Sequence, residues 1–428
     1  MAKFEITGGR PLIGQINAGA NKNGILPVMA ASLLTDEDCI LENVPDIGDV
    51  KVLGQILREL GAVVEKQGED TLKINTSKVT KHQLSSELVA QLRGSVLLLG
   101  PLVKRLGKVK MRHPGGDIIG RRSIDVHLDA LSQLGVSVKV DDNSYELSAG
   151  KLTGVPVFLV ESSVTATENV IMAAVLAEGT TVIKHAASEP HVADLCKFLN
   201  KMGAKISGVG SNLLMVEGVS RLRGITHRIP SDHIEVGTFA VAAAVTQGDI
   251  TINDVQPEDM DMIVTYLKKM GVDIKLVANN SSEHNQSPWS LQVKSSKLTA
   301  IRKIDTDPWP GFPTDLTSVF TVLATQAAGT TLVHDWMYEG RMFFVDKLIN
   351  MGANIILCDP HRAVVAGPTK LVGRELDSPD LRAGMALVLA ALAADGRSTI
   401  DRIEQVERGY GDVEKRFKSL GAAIKRVD

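Results

Sequence analysis

One short segment combines groups that bind anions with a single acid. The segment MRHPGGDIIGRRS (111–123) contains the adjacent glycines Gly115 and Gly116 and one carboxylate, Asp117. Its three arginines are Arg112, Arg121 and Arg122. Glycine lets a backbone bend sharply and approach a ligand closely, and guanidinium groups bind phosphates and carboxylates. The segment therefore indicates an anion-binding loop with one group able to transfer a proton, or a loop in which Asp117 only pairs with Arg121 or Arg122.

Three more cations, Lys22, Arg93 and Arg382, stand where apolar helices are predicted to begin. A cation at a helix N-terminus opposes the helix dipole, at a cost of roughly a few tenths of a kcal/mol. An anion bound by both the cation and the helix end would remove this penalty, which makes these positions candidate anion sites. Thr314, Asp315 and Asp380 stand at similar positions, and ordinary N-capping explains them.

The elements that position these residues are repeated. A phrase that reads as the end of an amphipathic helix, a glycine and a β-branched strand recurs six times, at intervals of 68 to 81 residues. Its glycines are Gly61, Gly135, Gly203, Gly271, Gly352 and Gly421.

Upstream of each phrase lies a second helix that is apolar nearly all round and is therefore predicted to be buried. The six segments are NKNGILPVMAASLL (21–34), RGSVLLLGPLV (93–103), TENVIMAAVLA (167–177), IEVGTFAVAAAV (234–245), TDLTSVFTVLAT (314–325) and LRAGMALVLAALAA (381–394). The pattern predicts an α/β unit of about 70 residues repeated six times. A solenoid held together by repeat packing, with polar helix ends as caps, is the simpler alternative.

Composition excludes several classes of protein. A formal net charge of −3 and 4% aromatic residues give no support for binding to nucleic acid or to a membrane surface. The three cysteines, Cys39, Cys196 and Cys358, are far apart and lack metal-ligand spacing. The start, MAKFEITGG, lacks the apolar run of a signal peptide, and no apolar stretch is long enough to span a membrane. We therefore expect a cytoplasmic protein without a metal, a cofactor or an obligate protein partner.

Taken together, five motifs resemble the enolpyruvyl transferases. They are GANKNGILP (19–27), HPGGDIIGRRSIDVH (113–127), GFPTD (311–315), DLRAG (380–384) and ERGYG (407–411), and the resemblance covers nearly the whole chain. It implies the family's two-domain inside-out α/β barrel, built from six units with three in each domain and with the active site in the cleft between domains. We expect domain 1 to comprise residues 22–229, including the loop 111–123, and domain 2 to comprise residues 1–21 and 230–428.

The resemblance is closest to the branch that transfers the enolpyruvyl group of phosphoenolpyruvate to the 3-hydroxyl of UDP-N-acetylglucosamine, with release of phosphate. This reaction begins peptidoglycan precursor synthesis. The resemblance assigns contacts with phosphoenolpyruvate to Lys22, Asn23, Arg122, Arg382 and Arg408. For each of these cations, a surface ion pair is the simpler alternative.

Contacts with the nucleotide sugar follow from the same resemblance. They are assigned to Arg93, Arg122, Ser123, Ile124, Asp125, Val126, Ser163, Val164, Asp315 and Met337. The chain departs from the family pattern at two nearby positions, because Glu161 stands where the family has a lysine and Thr165 where it has a glycine. A glutamate that faced a diphosphate would repel it.

The resemblance also implies the proton transfers. Asp315 matches the carboxylate that accepts the proton of the 3-hydroxyl, and N-capping of its helix is the simpler alternative. Asp117 matches the proton donor of the loop, a cysteine in many members, with Gly115 and Gly116 as its hinge. Lys22 and Arg408 complete the predicted catalytic set. The epoxide antibiotic fosfomycin alkylates the cysteine of members that carry one.

Two other functions are compatible with these residues. The first is the related enzyme that makes 5-enolpyruvylshikimate 3-phosphate, whose motifs differ around the loop. The second is a non-catalytic protein that binds a nucleotide sugar, which Glu161 and Thr165 would favour. The presence of both proton-handling groups, Asp117 and Asp315, argues against a protein that only binds.

Overall fold

The computed structural model describes residues 2–116, 120, 123–279 and 286–428, and its fold is mixed α/β. The strands are β1 (Lys3–Thr7), β2 (Ile13–Asn17), β3 (Cys39–Glu42), β4 (Val63–Gln67), β5 (Thr71–Asn75), β6 (Lys108–Arg112), β7 (Ser137–Asp141), β8 (Ser144–Ser148), β9 (Pro156–Phe158), β10 (Thr180–Lys184), β11 (Lys205–Ser207), β12 (Leu213–Glu217), β13 (Thr226–Arg228), β14 (Asp249–Asn253), β15 (Asp273–Ala278), β16 (Trp289–Lys294), β17 (Lys303–Asp305), β18 (Gly329–His334), β19 (Asn354–Asp359), β20 (Arg362–Gly367), β21 (Glu375–Asp377), β22 (Arg397–Asp401) and β23 (Ala423–Val427).

The α-helices lie between these strands. They are α1 (Lys22–Ala31), α2 (Gly48–Leu60), α3 (Ser86–Gln91), α4 (Leu99–Leu106), α5 (Asp125–Gln133), α6 (Val164–Ala174), α7 (Pro190–Lys201), α8 (His233–Val245), α9 (Asp261–Lys269), α10 (Thr317–Gln326), α11 (Val345–Asn350), α12 (Leu381–Ala393), α13 (Glu404–Glu407) and α14 (Val413–Ser419). Within the described ranges, no helix is long and apolar enough to cross a bilayer.

The chain divides into two compact units. The first unit comprises residues 20–116 and 123–230, and the second comprises residues 2–19 and 231–428. Among the described residues, the first unit has the sheets β13-β3-β5-β4, β6-β8-β7 and β11-β12-β10-β9, and the second has β15-β16-β14-β2, β17-β18-β20-β19 and β21-β22-β1-β23. In the three-stranded sheet, a single parallel bridge between Gln83 and Lys110 stands where the other sheets have a fourth strand. The sheets are therefore variants of one pattern.

Apolar helices occupy the core of each unit. In the second unit, α8, α10 and α12 pack against one another, and every residue of α8 is buried. In the first unit, α4 packs against α6, and both α1 and α6 pack against the 3-10 segment that precedes α4. Small side chains such as alanine let such helices approach closely, so the all-round apolar pattern of the sequence correctly predicts burial.

The glycines of the six repeated phrases confirm the prediction that a helix ends at each of them. All six have a positive φ, between 81° and 112°, in the region where a side chain would be strained. At Gly61, for example, the glycine N–H bonds to the carbonyl of Arg58 at 3.0 Å and closes α2. Glycine at these positions therefore turns the chain from a helix into the next strand.

Three of the predicted apolar helices are less regular than expected. Residues Ser32–Leu34, Arg93–Leu98 and Thr314–Leu316 form 3-10 helix instead of α-helix. The first of these ends the segment that begins with α1, and the other two precede α4 and α10. The tighter 3-10 winding at the start of two helices changes the direction in which Arg93 and Asp315 project, a detail that an apolar repeat does not encode.

Candidate active site

In the first unit, the N-terminus of α1 brings a cation next to an acid. The Asn21 side chain caps this helix by accepting the N–H groups of Asn23 and Gly24, each at 3.0 Å. Lys22 Nζ lies 3.1 Å from Asp49 Oδ2 of α2, and these side chains are only 15% and 5% exposed. Asn23 is half-buried beside them. A carboxylate of the protein thus balances the Lys22 charge, so its place at a helix N-terminus does not by itself require a bound anion.

A second group of predicted residues surrounds Arg93. Arg93 Nη2 donates to the backbone oxygen of Ser123 at 3.1 Å, and the Ser123 hydroxyl accepts the N–H of Asp125 at the start of α5. Ile124 is buried in the core, so any ligand contact at that position would involve its backbone. Val126 is half-buried.

The two positions that depart from the family pattern lie at the start of α6, near Ser163 and Val164. Glu161 is exposed. Thr165 hydrogen-bonds to the buried His127, with 2.7 Å between Thr165 Oγ1 and His127 Nε2. Burial and the nearby Arg93 charge lower the pKa of His127 to about 3, so its ring is neutral at physiological pH. Thr165 therefore joins α6 to α5 through a neutral histidine.

The glycine pair of the loop packs against the chain before Arg93. The Gly115 N–H donates to the Val89 carbonyl at 3.0 Å. A Cβ at Gly115 would lie 1.7 Å from the backbone oxygen of Ala90, and one at Gly116 would lie 2.7 Å from the Arg93 Cβ. Both glycines are needed for this close approach, whether or not they also act as a hinge. Asp117, Arg121 and Arg122 lie outside the described residues.

In the second unit, the predicted base Asp315 is held by two arginines. Asp315 Oδ2 lies 2.8 Å from Arg382 Nη2, and Asp315 Oδ1 lies 3.5 Å from Arg341 Nη2. Both guanidinium groups are nearly inaccessible to solvent, whereas the carboxylate is 26% exposed. The 3-10 turn that contains Asp315 has no side-chain cap, and α10 has none either. The N-cap interpretation of Thr314 and Asp315 is therefore wrong, while Asp380 does cap α12.

Arg382 is bound by protein groups on several sides. Its Nη1 donates to the Tyr410 hydroxyl at 2.9 Å, and its guanidinium carbon lies 5.3 Å from the centre of the Tyr410 ring. Burial disfavours its charge, but the combined effect of the Asp315 carboxylate, Tyr410 and Asp232 outweighs burial and raises the pKa of Arg382 above its ordinary value. As at Lys22, a protein carboxylate compensates a cation at a helix N-terminus. Arg408, which follows α13, is half-buried.

Two residues of this network, Arg341 and Asp335, were not predicted from the sequence. Asp335 follows β18 and is fully buried. Its Oδ2 accepts the hydroxyls of Thr314 at 2.5 Å and Thr317 at 3.0 Å. Its Oδ1 accepts the N–H of the predicted nucleotide contact Met337 at 3.1 Å. No motif or spacing in the sequence indicates these contacts, because they join the end of a strand to the start of a helix earlier in the chain.

Each unit therefore offers cations suited to small anionic ligands, and the second unit also offers a carboxylate suited to proton transfer. The first unit contributes Lys22, Asn23 and Arg93. The second contributes Asp315, Arg382 and Arg408. Charged groups held in fixed orientations by buried partners are the usual components of sites that bind phosphate and carboxylate.

Comparison with known proteins gives full-length matches. The chain matches the family model of EPSP synthase (3-phosphoshikimate 1-carboxyvinyltransferase) over residues 6–417. It is 51% identical to the UDP-N-acetylglucosamine 1-carboxyvinyltransferase of Treponema denticola, with 99% of each chain covered. It is 49% identical to the protein of the same name from Borreliella burgdorferi, with 100% of this chain and 99% of the relative covered.

Solved structures agree in fold. The enolpyruvyl transferase NikO from Streptomyces tendae superposes with a TM-score of 0.87 at 25% identity, covering 100% of this chain and 99% of that one. EPSP synthase from Acinetobacter baumannii superposes with a TM-score of 0.78 at 19% identity, covering 100% of both chains, and at that identity it supports the fold alone.

Proposed function

Because the chain belongs to the enolpyruvyl transferase family, we propose that it transfers the enolpyruvyl group of phosphoenolpyruvate to the 3-hydroxyl of UDP-N-acetylglucosamine. The reaction releases phosphate and begins peptidoglycan precursor synthesis, and we place it in the cytoplasm. The observation that carries the choice of acceptor is the 51% identity, over 99% of both chains, to a UDP-N-acetylglucosamine 1-carboxyvinyltransferase. EPSP synthase from Acinetobacter baumannii is only 19% identical to this chain, which makes the shikimate-directed reaction the weaker candidate.

The reaction proceeds by addition and elimination. In the addition, Asp117 protonates the methylene carbon of phosphoenolpyruvate while the sugar 3-oxygen bonds to its central carbon, and Asp315 accepts the hydroxyl proton. In the elimination, the Asp117 carboxylate takes a proton back from the methyl carbon, the bond to the phosphate oxygen breaks, and the proton held by Asp315 leaves with the phosphate. The geometry that supports Asp315 is a partly exposed carboxylate whose orientation is set by Arg382 and Arg341.

Phosphoenolpyruvate needs cations for both its carboxylate and its phosphate. We assign these roles to Lys22 with Asn23, to Arg382 with Arg408, and to Arg122. The assignment of Lys22 is supported by its restricted position at the start of α1, where its ammonium group pairs with Asp49. A bound phosphate would compete with Asp49 for Lys22 Nζ, since charge-assisted hydrogen bonds to either anion are of similar strength.

The nucleotide sugar is assigned to Arg93, Arg122, Ser123 to Val126, Ser163, Val164 and Met337. The exposure of Glu161 supports an arrangement in which its charge remains in solvent and not against the diphosphate. Thr165 is engaged by His127, so its hydroxyl need not face the ligand. Both substitutions are therefore compatible with the proposed acceptor.

We also propose the family's inside-out barrel for each domain, with three repeated units in domain 1 (22–229) and three in domain 2 (1–21 and 230–428). The support is that the described part of each compact unit has three sheets, and that the apolar helices α8, α10 and α12 pack together in the second unit. In this arrangement the buried helices begin with the residues assigned to the substrates.

Release of phosphate from phosphoenolpyruvate tests the proposed function. The purified protein is incubated with phosphoenolpyruvate alone, with added UDP-N-acetylglucosamine, and with added shikimate 3-phosphate, and the acceptor product is identified by mass spectrometry. We expect phosphate only with the nucleotide sugar, in equal amount to an enolpyruvyl product. Turnover with shikimate 3-phosphate would indicate the related enzyme that makes 5-enolpyruvylshikimate 3-phosphate. Binding of the nucleotide sugar without phosphate release would indicate a non-catalytic protein.

A further inference from the structure

We infer that the buried carboxylate of Asp335 is a positioning residue that holds Arg341, and through Arg341 the catalytic carboxylate Asp315. The inference deepens the proposed function, because it depends on Asp315 as the group that accepts the proton.

The first argument is the burial of Asp335. Its side chain is 0% exposed, and a buried carboxylate is costly unless it is fully hydrogen-bonded or paired. Oδ1 accepts the N–H groups of Met337 at 3.1 Å and Tyr338 at 3.3 Å. The backbone is anchored too, since the Asp335 N–H donates to the His361 carbonyl at 2.8 Å, and the Asp335 carbonyl is 2.7 Å from His361 Nδ1. The position of this carboxylate is therefore fixed by β18 and the turn that follows it.

The second argument is a chain of contacts from Asp335 to Asp315. Asp335 Oδ2 accepts the Thr314 hydroxyl at 2.5 Å, and the Thr314 oxygen in turn accepts Arg341 Nε at 3.2 Å. Arg341 Nε also lies 3.9 Å from Asp335 Oδ2. The other end of the same guanidinium, Nη2, lies 3.5 Å from Asp315 Oδ1. A rigid, planar guanidinium transmits orientation from one end to the other.

The third argument is that Asp335 joins both sides of the acceptor site. Through Thr314 and Thr317 it holds the start of the helical segment that carries Asp315. Through its bond to the Met337 N–H it also fixes the turn assigned to the nucleotide. Displacement of a reacting group by about 1 Å can reduce a rate by roughly 100-fold, so one carboxylate that sets both positions has a large effect on turnover.

Substitution of Asp335 by asparagine tests the inference, because Asp335→Asn keeps the shape and removes the charge. We expect kcat to fall by roughly 10- to 100-fold, while KM for phosphoenolpyruvate changes by less than about threefold, since the effect operates through orientation of the acceptor side. The matched control is Asp254→Asn. Asp254 is also buried in the second unit, where it directly follows β14. Its carboxylate accepts the N–H of Ser287. For Asp254→Asn we expect a change in melting temperature similar to that of Asp335→Asn, and an unchanged kcat.

Two threonine variants test the same inference independently, in case Asp335→Asn does not fold. Thr314 and Thr317 both donate to Asp335 Oδ2, but of the two, within the described ranges, Thr314 alone also accepts a hydrogen bond from Arg341. We expect Thr314→Val to lower kcat at least about fivefold more than Thr317→Val, and Thr314→Ser to restore it. Thr314→Val should add little further loss in the Asp335→Asn background, because both remove the same connection. Equal kcat values in the two valine variants would overturn the inference.

A crystal structure of Asp335→Asn provides a result that does not depend on activity. We expect the contact between Arg341 Nη2 and Asp315 Oδ1 to be lost in this variant and retained in Asp254→Asn. An unchanged contact, or a kcat within about twofold of wild type, would refute the positioning role. An inactive wild-type protein would refute the proposed function instead, and the crystal structures would still decide whether Asp335 positions Arg341.

Discussion

The carboxylate proposed as proton donor, Asp117, has consequences for covalent inhibition. An epoxide such as fosfomycin needs a good nucleophile, and a carboxylate is far poorer in this role than a thiolate. None of the three cysteines lies in the segment 111–123. The wild-type protein is therefore expected to resist fosfomycin.

Substitutions at Asp117 test this assignment. We expect Asp117→Cys to retain activity, since a thiol also donates a proton, and to gain time-dependent inactivation by fosfomycin with one adduct on the loop. Asp117→Asn keeps the shape but cannot donate the proton, so its kcat should fall by at least about 100-fold. Intact-mass spectrometry and steady-state kinetics measure both effects. Normal turnover of the asparagine variant would contradict the role of Asp117 as proton donor and favour the alternative in which it only forms an ion pair within the loop.

A substitution at Lys22 can distinguish a role in binding phosphoenolpyruvate from a purely structural role. We expect Lys22→Ala to lower kcat/KM for phosphoenolpyruvate by roughly 30- to 100-fold, corresponding to the loss of a charge-assisted contact worth about 2–3 kcal/mol. The control is Lys51→Ala in α2, which removes an ion pair with Asp46 that is about two-thirds exposed and should leave the kinetics unchanged. Equal kinetics in the two variants would leave Lys22 as a structural partner of Asp49.

Among the helices, α6 contains an acid whose surroundings disfavour its charged form. Glu168 is 1% exposed, and within the described residues its Oε1 has no hydrogen-bond partner. Burial, and then the charge of Glu189, raise the pKa of Glu168 well above its ordinary value. In the unfolded chain Glu168 loses its proton above about pH 4.5. Folding therefore retains a proton, and the contribution of Glu168 to stability is present at low pH and is lost as the pH rises.

Because the stability that Glu168 contributes is lost as the pH rises, the variant Glu168→Gln provides a test. In this variant an uncharged amide replaces the acid at every pH. We expect the melting temperature of the variant to match wild type at pH 5 and to exceed it increasingly up to pH 8. Each 1 kcal/mol corresponds to about 2–4 °C for a domain of this size. Scanning calorimetry at four pH values measures the effect, with the exposed Glu217→Gln as control. A difference in melting temperature that does not change with pH would contradict a protonated Glu168.

On the scale of the whole molecule, the start of the chain completes a unit formed by its end. Strand β1 lies between β22 and β23 and pairs with both in antiparallel register. Phe4 and Ile6 of this strand are fully buried. The second unit therefore depends on a strand that is separated from its neighbours by almost the entire sequence.

Two isoleucine variants test this dependence. We expect Ile6→Ala to lower the free energy of unfolding of the second unit by about 2–5 kcal/mol, the cost of a cavity in a packed core. Ile13→Ala in β2 is the control, because Ile13 is 64% exposed and its loss should cost at most about 0.5 kcal/mol. Urea unfolding measures both values. Equal effects would show that β1 contributes little to this unit.

The sequence by itself determined the mixed α/β class, the buried helices and the glycines that end the surface helices. These features depend on local rules, because the spacing of apolar residues selects helix or strand, and only glycine accepts a positive φ without strain. The recurrence of the same pattern six times made the prediction stronger than any single segment would have done. The motifs, through their resemblance to the enolpyruvyl transferases, also indicated the family.

Only the tertiary structure decided how the charged residues are paired. It joins Lys22 to Asp49, Asp315 to Arg382, and Asp335 to Thr314 and Arg341, and it shows that Asp315 is not a helix cap. These partners are 21 to 67 residues apart in most cases and have no common period. Their contacts depend on how sheets and helices pack in three dimensions, and neither the spacing nor the type of a residue records that packing.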